Sequence, residues 1–311
     1  MKGTSGLLLF FQGGSKMGPL FVMKNIVKRF PGVLALDKVN FDLFEGEVHA
    51  LLGENGAGKT TLMNILYGLY RMDEGEIFYS GKKVKIHSPA QALSLGIGMV
   101  QQHFTLALSF TVAENIMLST KRFEKDISER EVIERIRETS EEYELRIDPN
   151  ARIWQMPVGE KQRVEILKLL YMNAKVVILD EPTAVLTPQE TKALFRAIRL
   201  MIKNGAGVIF ISHKLREVME ISDRVTVLKS GRVVGTLRRG EYDEKKLARM
   251  MVGRNVMFQI KKKPANPGRV VLKIEGVKVL NDKGYMALNG IDLEVREGEI
   301  LGVAGNGQRE Y

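Results

Sequence analysis

The stretch Val48-His49-Ala50-Leu51-Leu52-Gly53-Glu54-Asn55-Gly56-Ala57-Gly58-Lys59-Thr60-Thr61 decides the fold. Its first five residues are a compact apolar run, the pattern of a strand buried on both faces of a parallel sheet. The next residues fit G-x4-GK-[ST], with Gly53, Gly58, Lys59 and Thr60 at the fixed places and Asn55, Gly56 and Thr61 between and after them. Leu62, Ile65, Leu66 and Leu69 then recur at i, i+3, i+4 and i+7, which predicts an amphipathic helix. Strand, glycine loop and helix in this order make a phosphate cradle. The glycines let the loop wrap its N–H groups around phosphates, and the helix N-terminus adds positive potential. Lys59 can reach the β- and γ-phosphates, and Thr60 can ligate Mg²⁺.

Three further apolar runs follow. Val176–Leu179 ends at Asp180-Glu181, Gly207–Ile211 runs into Ser212-His213, and Arg224–Leu228 is the third. Helical patterns separate them, as in Pro188–Lys203, and this alternation predicts a mostly parallel α/β sheet. Ligands in such sheets bind outside the strand C-termini. Asp180 is therefore placed to hold Mg²⁺ through water, Glu181 to polarise an attacking water, and His213 to donate to a γ-phosphate. Ile97–Val100 leads to Gln101-Gln102, and an amide there can touch Mg²⁺ or the water; by chemistry alone the two glutamines are equal candidates. His103 is undecided, while His49 and His87 read as structural. Phe30, at a strand end, can stack on a base or simply pack. Val22–Arg29, Leu34–Phe44 and a hairpin over Glu76–Ile86 add an antiparallel part, and Thr111–Tyr143 is helix-rich and acidic.

The chain has 311 residues with 47 basic and 37 acidic side chains, 44% of it hydrophobic, proportions that exclude a disordered or collagen-like protein. It has no cysteine, which excludes disulfides, thiolate metal sites and thiol nucleophiles. The apolar stretch Leu7–Phe11 is far too short to span a bilayer. Much of the net charge of +10 lies between Lys229 and Arg269, where twelve basic residues face three acidic ones. No pattern of interleaved aromatics supports single-strand stacking there, so the segment reads as a solvated hairpin and linker and no nucleic acid is expected as a partner.

Residues 1–20 read as an extension outside the fold, with Met17 as a natural start. The first domain then covers 21–253 and a linker 254–268, centred on the Pro/Gly-rich Pro264–Gly268. From 269 the chain repeats itself. Ala35–Glu47 (ALDKVNFDLFEGE) aligns without gaps with Ala287–Glu299 (ALNGIDLEVREGE). Residues 269–311 are therefore expected to be the start of a second copy, and the chain to be a fragment of a longer protein.

Taken in order, these motifs resemble the ATP-binding cassette (ABC) ATPases. The phosphate loop, Gln102, the run to Asp180-Glu181 and His213 fall in that family's sequence. Met156-Pro157-Val158-Gly159-Glu160-Lys161-Gln162-Arg163 is similar to its signature, LSGGQ followed by xQR, and Ala184–Thr187 to its D-loop. The resemblance implies an α/β P-loop NTPase of RecA-like, mostly parallel sheet, with an antiparallel β subdomain and an α-helical signature subdomain. It implies ATP and Mg²⁺ as cofactors and assigns Glu181, His213 and Gln102 to catalysis. It assigns Thr60, Gln102 and Asp180 to the metal. Phe30, the phosphate loop and the signature residues Pro157, Val158, Gly159 and Glu160 go to the nucleotide.

Within the family, FPGVLALDKV, VGEKQRVEILK and DEPTAVLTPQE resemble the fused double-cassette importers of simple sugars and nucleosides. That implies integral membrane permease subunits as partners, indirectly a solute-binding lipoprotein, a second cassette or a homodimer, and a place on the cytoplasmic face of the cell membrane. A permease-free ABC protein acting on ribosomes is the alternative. Two departures matter. Pro157 stands where the signature has serine, so a hydroxyl and a backbone N–H are both missing. Gln308 stands where the second phosphate loop needs lysine, which predicts a catalytically weak second loop. With cassettes paired head to tail, both defects would share one composite site.

Overall fold

The computed structural model describes residues 18–101, 104–120, 127–253, 266–280 and 286–303. They form two units, 18–253 and 266–303. The first runs β1 (Phe21–Phe30), β2 (Val33–Leu43), β3 (Val48–Leu52), α1 (Lys59–Leu66), β4 (Glu74–Tyr79), β5 (Lys82–Val84), α2 (Pro89–Ser94), β6 (Ile97–Val100) and α3 (Val112–Thr120). It continues with α4 (Glu129–Glu142), a 3-10 turn at Ile153–Gln155, α5 (Val158–Tyr171), β7 (Val176–Asp180) and α6 (Pro188–Lys203). The remaining elements are β8 (Gly207–Ser212), α7 (Leu215–Ile221), β9 (Arg224–Lys229), β10 (Arg232–Arg238) and α8 (Glu244–Val252).

Six strands form the central sheet in the order β10-β9-β3-β8-β7-β6. Its neighbours pair in parallel except β10, which closes the edge as an antiparallel hairpin with β9. Every residue of β3, β7 and β8 is buried, which is why these strands read as unbroken apolar runs rather than as alternating ones. Their side chains still alternate between two cores. Val48, Ala50, Leu52, Val177, Leu179, Val208 and Phe210 face the helical side with α3–α6. Leu51, Val176, Ile178, Ile209 and Ile211 face α1 and the second sheet. That second sheet, β2-β1-β4-β5, is antiparallel throughout.

Helix starts follow the sequence closely. Pro188 sits in the first turn of α6 behind a reciprocal Thr187–Glu190 cap. One expectation fails at a helix end. The i, i+3, i+4, i+7 spacing places Leu69 in the helix behind the phosphate loop, but α1 stops at Leu66 and Leu69 is 44% exposed. Gly68, at φ 80°, turns the chain out of the helix, and a side chain there would collide with the Ser88 backbone.

A buried polar cluster ties the two sheets together. His49 is fully buried and stacks on Phe41 at 4.4 Å. Its Nδ1 lies 2.7 Å from the Asp42 carbonyl oxygen and its Nε2 2.8 Å from Thr226 Oγ1. Arg224, which also pairs with Asp42 and Glu47, reaches the same ring. Burial first, and the Arg224 charge second, hold the His49 pKa well below the ordinary imidazole range. The folded chain therefore keeps this ring neutral while the unfolded chain protonates it below about pH 6.5. Its contribution to stability is complete above that pH and is lost as pH falls, by up to about 1.4 kcal/mol per pH unit for one proton. Glu47, raised chiefly by burial, acts in the opposite sense, and only as pH climbs past the ordinary carboxylate range. We expect the melting temperature to drop between pH 7 and 5.5 and the drop to shrink in His49→Gln. Equal pH profiles for the two proteins would contradict this.

The second unit is an antiparallel hairpin, β11 (Val270–Leu280) with β12 (Met286–Arg296). It reproduces an irregularity of β1–β2. In the first hairpin Asn25 and Lys38 both take left-handed backbone, and Asn40 Oδ1 accepts from the Asn25 N–H at 2.9 Å. In the second, Gly276 and Gly290 take it, and Asp292 Oδ1 accepts from the Gly276 N–H at 2.6 Å. Lys38 and Asn40 align with Gly290 and Asp292 in the sequence repeat. The linker residues 254–265 and Gln308 lie outside the described residues.

Candidate functional site

Parallel pairing sets the site. The register Leu52↔Ser212, Asp180↔Ile211 and Val100↔Leu179 brings four strand ends to one edge. Gly53, His213, Glu181 and Gln101 follow those ends directly. Gln102 and His103 lie outside the described residues.

The phosphate loop has its glycines for two distinct reasons. Gly56 and Gly58 hold left-handed backbone, φ 79° and 102°. Gly53 is needed for space, since a Cβ there would overlap the Leu228 carbonyl oxygen. A Cβ on Gly58 would lie 2.8 Å from the Ala35 carbonyl oxygen, so β2 packs directly on the loop. Gly231, in the β9–β10 turn, donates its N–H to the Ala57 carbonyl at 3.0 Å. Sequence reasoning missed both supports, Ala35 and Leu228–Gly231, because neither carries chemistry and each meets the loop only after folding.

Lys59 begins α1 and is 6% exposed. Its Nζ donates to the carbonyl oxygens of Gly53 at 2.8 Å and Glu54 at 3.0 Å. Burial draws its pKa down, and the neighbouring Glu181 and Asp180 carboxylates oppose that. Thr60 Oγ1 donates to Asp180 Oδ2 at 3.0 Å. Burial pushes the Asp180 carboxyl up, against the Thr60 hydrogen bond. Glu181 has left-handed backbone, φ 48°, fixed by its N–H to the Ile211 carbonyl. Its Oε1 lies 2.9 Å from His213 Nδ1. His213 remains half exposed while Glu181 is largely buried, so the pair presents the imidazole to solvent with the carboxylate behind it.

Phe30 closes the β1–β2 hairpin, 37% exposed, with its ring edge-to-face on Tyr70 at 5.5 Å. Lys28 Nζ stands 5.3 Å from the centre of the Phe30 ring.

The signature residues are not part of this constellation. Pro157 is the N-cap of α5 and makes no side-chain cap. Pro157 and Val158 are exposed, Glu160 is half-buried and Gly159 is buried. Among the described residues no hydrogen bond or ion pair joins them to the phosphate loop. What they present is a helix N-terminus, at which the Glu160 N–H already donates to the Pro157 carbonyl at 3.1 Å. Gly159 has a role within its own cassette: a Cβ there would overlap Glu190 Oε1, the residue that caps α6. Gly159→Ala should therefore force Glu190 off its cap and cost about 0.5–2 kcal/mol. The cost should shrink in a Glu190→Ala background. Additive losses in a double-mutant cycle would refute the contact's importance.

A buried strand, a glycine loop on a helix N-terminus, and an acidic pair with a histidine on the adjoining strand ends define a P-loop nucleotide-binding domain. Residues 36–184 match the ABC transporter family. The chain is 44% identical to the glucose import ATP-binding protein TsgD13 of Haloferax volcanii, covering 94% of this chain and 59% of that protein. It is 48% identical to the nucleoside import ATP-binding protein NupA of Lactococcus lactis subsp. cremoris, covering 93% of this chain and 58% of that one. It thus spans a little over half the length of these relatives. Among solved structures it is similar to the dimeric post-hydrolysis state of the ATP-binding cassette MJ0796 bound to ADP and Pi. There the identity is 26% and the TM-score 0.63, over 71% of this chain and 100% of that one. This chain carries an ABC transporter ATP-binding domain.

Proposed function

We propose that the chain is the ATP-binding and hydrolysing part of an importer for a simple sugar or nucleoside, acting at the cytoplasmic face of the cell membrane on integral permease subunits. The observation that carries it is the gathering of Lys59, Thr60, Asp180, Glu181 and His213 on one sheet edge, in a chain whose relatives are named import ATP-binding proteins. A solute-binding lipoprotein would act upstream, and the domain would pair with a second cassette or a second copy. No helix among the described residues is long and apolar enough to cross a membrane, so the permease would supply the path.

ATP would enter with its base on Phe30 and its phosphates in the loop of Gly53–Thr61, with Asn55 at the loop's crest. Lys59 would exchange the Gly53 and Glu54 carbonyls for phosphate oxygens. Thr60 and Asp180 suit Mg²⁺, a hard ion that takes one or two protein oxygens beside phosphates, and Asp180 is a buried carboxyl with no cationic partner within bonding distance among the described residues. When bound, Mg²⁺ would neutralise charge on the phosphates. We assign Gln102 to the same metal or to the attacking water. Glu181 would take the proton of the water whose oxygen attacks the γ-phosphorus, while the bond to the β–γ bridging oxygen breaks and ADP and phosphate leave. His213 would hold Glu181 and reach the γ-phosphate. The α5 N-terminus at Pro157–Glu160 would face the ATP of the partner cassette, with one donor fewer because of Pro157.

Leu108, Phe110, Leu118 and Trp154 are exposed apolar side chains, and we assign that surface to the permease. The test is to trap the longer parent protein as Glu181→Gln with MgATP in detergent-solubilised cells of its own source and identify what co-purifies. Hydrophobic permease subunits are expected; ribosomes without any membrane protein would overturn the import reading.

A further inference from the structure

We infer that Glu165 is a positioning residue that fastens the loop leaving β6 to the signature helix, so that the two move together when nucleotide binds. This rests on the ATPase reading above. Glu165 lies in the middle of α5 and is 3% exposed. Its carboxylate bonds to a segment sixty residues away: Oε1 accepts from the Thr105 N–H at 2.7 Å and from the Thr105 hydroxyl at 2.9 Å. Oε2 pairs with Lys168 at 2.6 Å, and Lys168 reaches Thr105 Oγ1 at 3.2 Å.

The same segment is held twice more. Asn115 of α3 clamps Ala107 through both its N–H and its carbonyl. Further on, the Leu108 and Phe110 carbonyls accept from the Trp154 and Ile153 N–H groups, just ahead of the signature. Residues 105–110 are thus stapled to α5 at its middle and just before its N-terminus. Tyr67, the residue that ends α1, feels the same carboxylate: burial, and then the Glu165 charge, push its phenol up. The segment after β6 and the signature helix therefore meet at this one group.

Packing does not explain it. Val164, Ile166, Leu167 and Leu169, its neighbours in the helix, are buried aliphatics, and apolar residues at 165 and 168 together would serve stability about as well as a buried ion pair does. What an apolar residue cannot do is hold a loop N–H.

The test uses Trp154, the sole tryptophan, which is bonded to that loop. Wild-type emission should shift on MgATP. In Glu165→Leu, ATP affinity should stay within about threefold and kcat should fall at least about tenfold, with the Trp154 shift lost. Glu165→Gln, which keeps an acceptor for the Thr105 N–H, should restore most of it. Thr105→Val, which leaves the helix intact, should give the same loss in smaller measure. A Glu165→Leu chain that shifts like wild type overturns the inference. So does parallel loss of affinity, shift and melting temperature in all three variants, which marks a packing role. A wild-type chain that binds MgATP without moving Trp154 overturns it too. A wild-type chain that binds no MgATP sinks the ATPase reading instead.

Discussion

Lys59→Ala is expected to abolish ATP binding at concentrations that saturate the wild type, lowering affinity by about a hundredfold or more. The ammonium can give charge-assisted hydrogen bonds to phosphate oxygens, each worth about 1.5–3 kcal/mol, and two of them account for that factor. The fold should persist. Removal leaves the Gly53 and Glu54 carbonyls without their donor, but it also removes a cation whose burial is unfavourable. The measurement is a thermal shift with MgATP. Wild type should gain about 2.7 kcal/mol at a hundred times its dissociation constant, and the variant about 0.4 kcal/mol or less. A normal shift in Lys59→Ala would mean that the phosphates sit elsewhere.

The second large effect belongs to Glu181→Gln. The amide keeps the size of the side chain and an oxygen for the His213 contact, and it loses only the ability to take a proton. Loss of a general base typically slows a reaction about 10²–10⁴-fold. ATP affinity should move less than threefold, on the order of 0.6 kcal/mol. Comparing single-turnover hydrolysis with nucleotide affinity separates the two. An unchanged rate would remove Glu181 from the chemistry, and a matching loss of affinity would make it a binding residue. The left-handed backbone at Glu181 tolerates glutamine no worse than glutamate, so strain does not confuse the comparison.

The sequence makes the central sheet legible because β3, β7 and β8 are buried on both faces, and their apolar runs end at charged or polar residues or at the glycine loop. Once the runs are strands of one parallel sheet, Lys59, Asp180, Glu181 and His213 must share an edge. Leu69 misled because helical spacing continues for one turn after the backbone has left the helix at Gly68. Glu165 was invisible for the opposite reason. A glutamate between aliphatic residues in a helix looks like a surface position until its partner, sixty residues away, is in place. The Arg224–His49–Asp42 cluster was hidden in the same way, its members being up to 182 residues apart. Local pattern reports which face a residue takes; it does not report which distant group needs it.

The twin hairpins show how shape can outlast the letters that spell it. Position 38 is lysine and its counterpart 290 is glycine, a pair that residue-by-residue scoring counts as a mismatch. Yet both hold the same left-handed kink, and both hairpins lock it with a side-chain oxygen, from Asn40 in one and Asp292 in the other. Glycine adopts that backbone without steric penalty, whereas lysine does so at about 1–2 kcal/mol. The first hairpin therefore holds its kink against that cost, whereas the second has no such cost to offset.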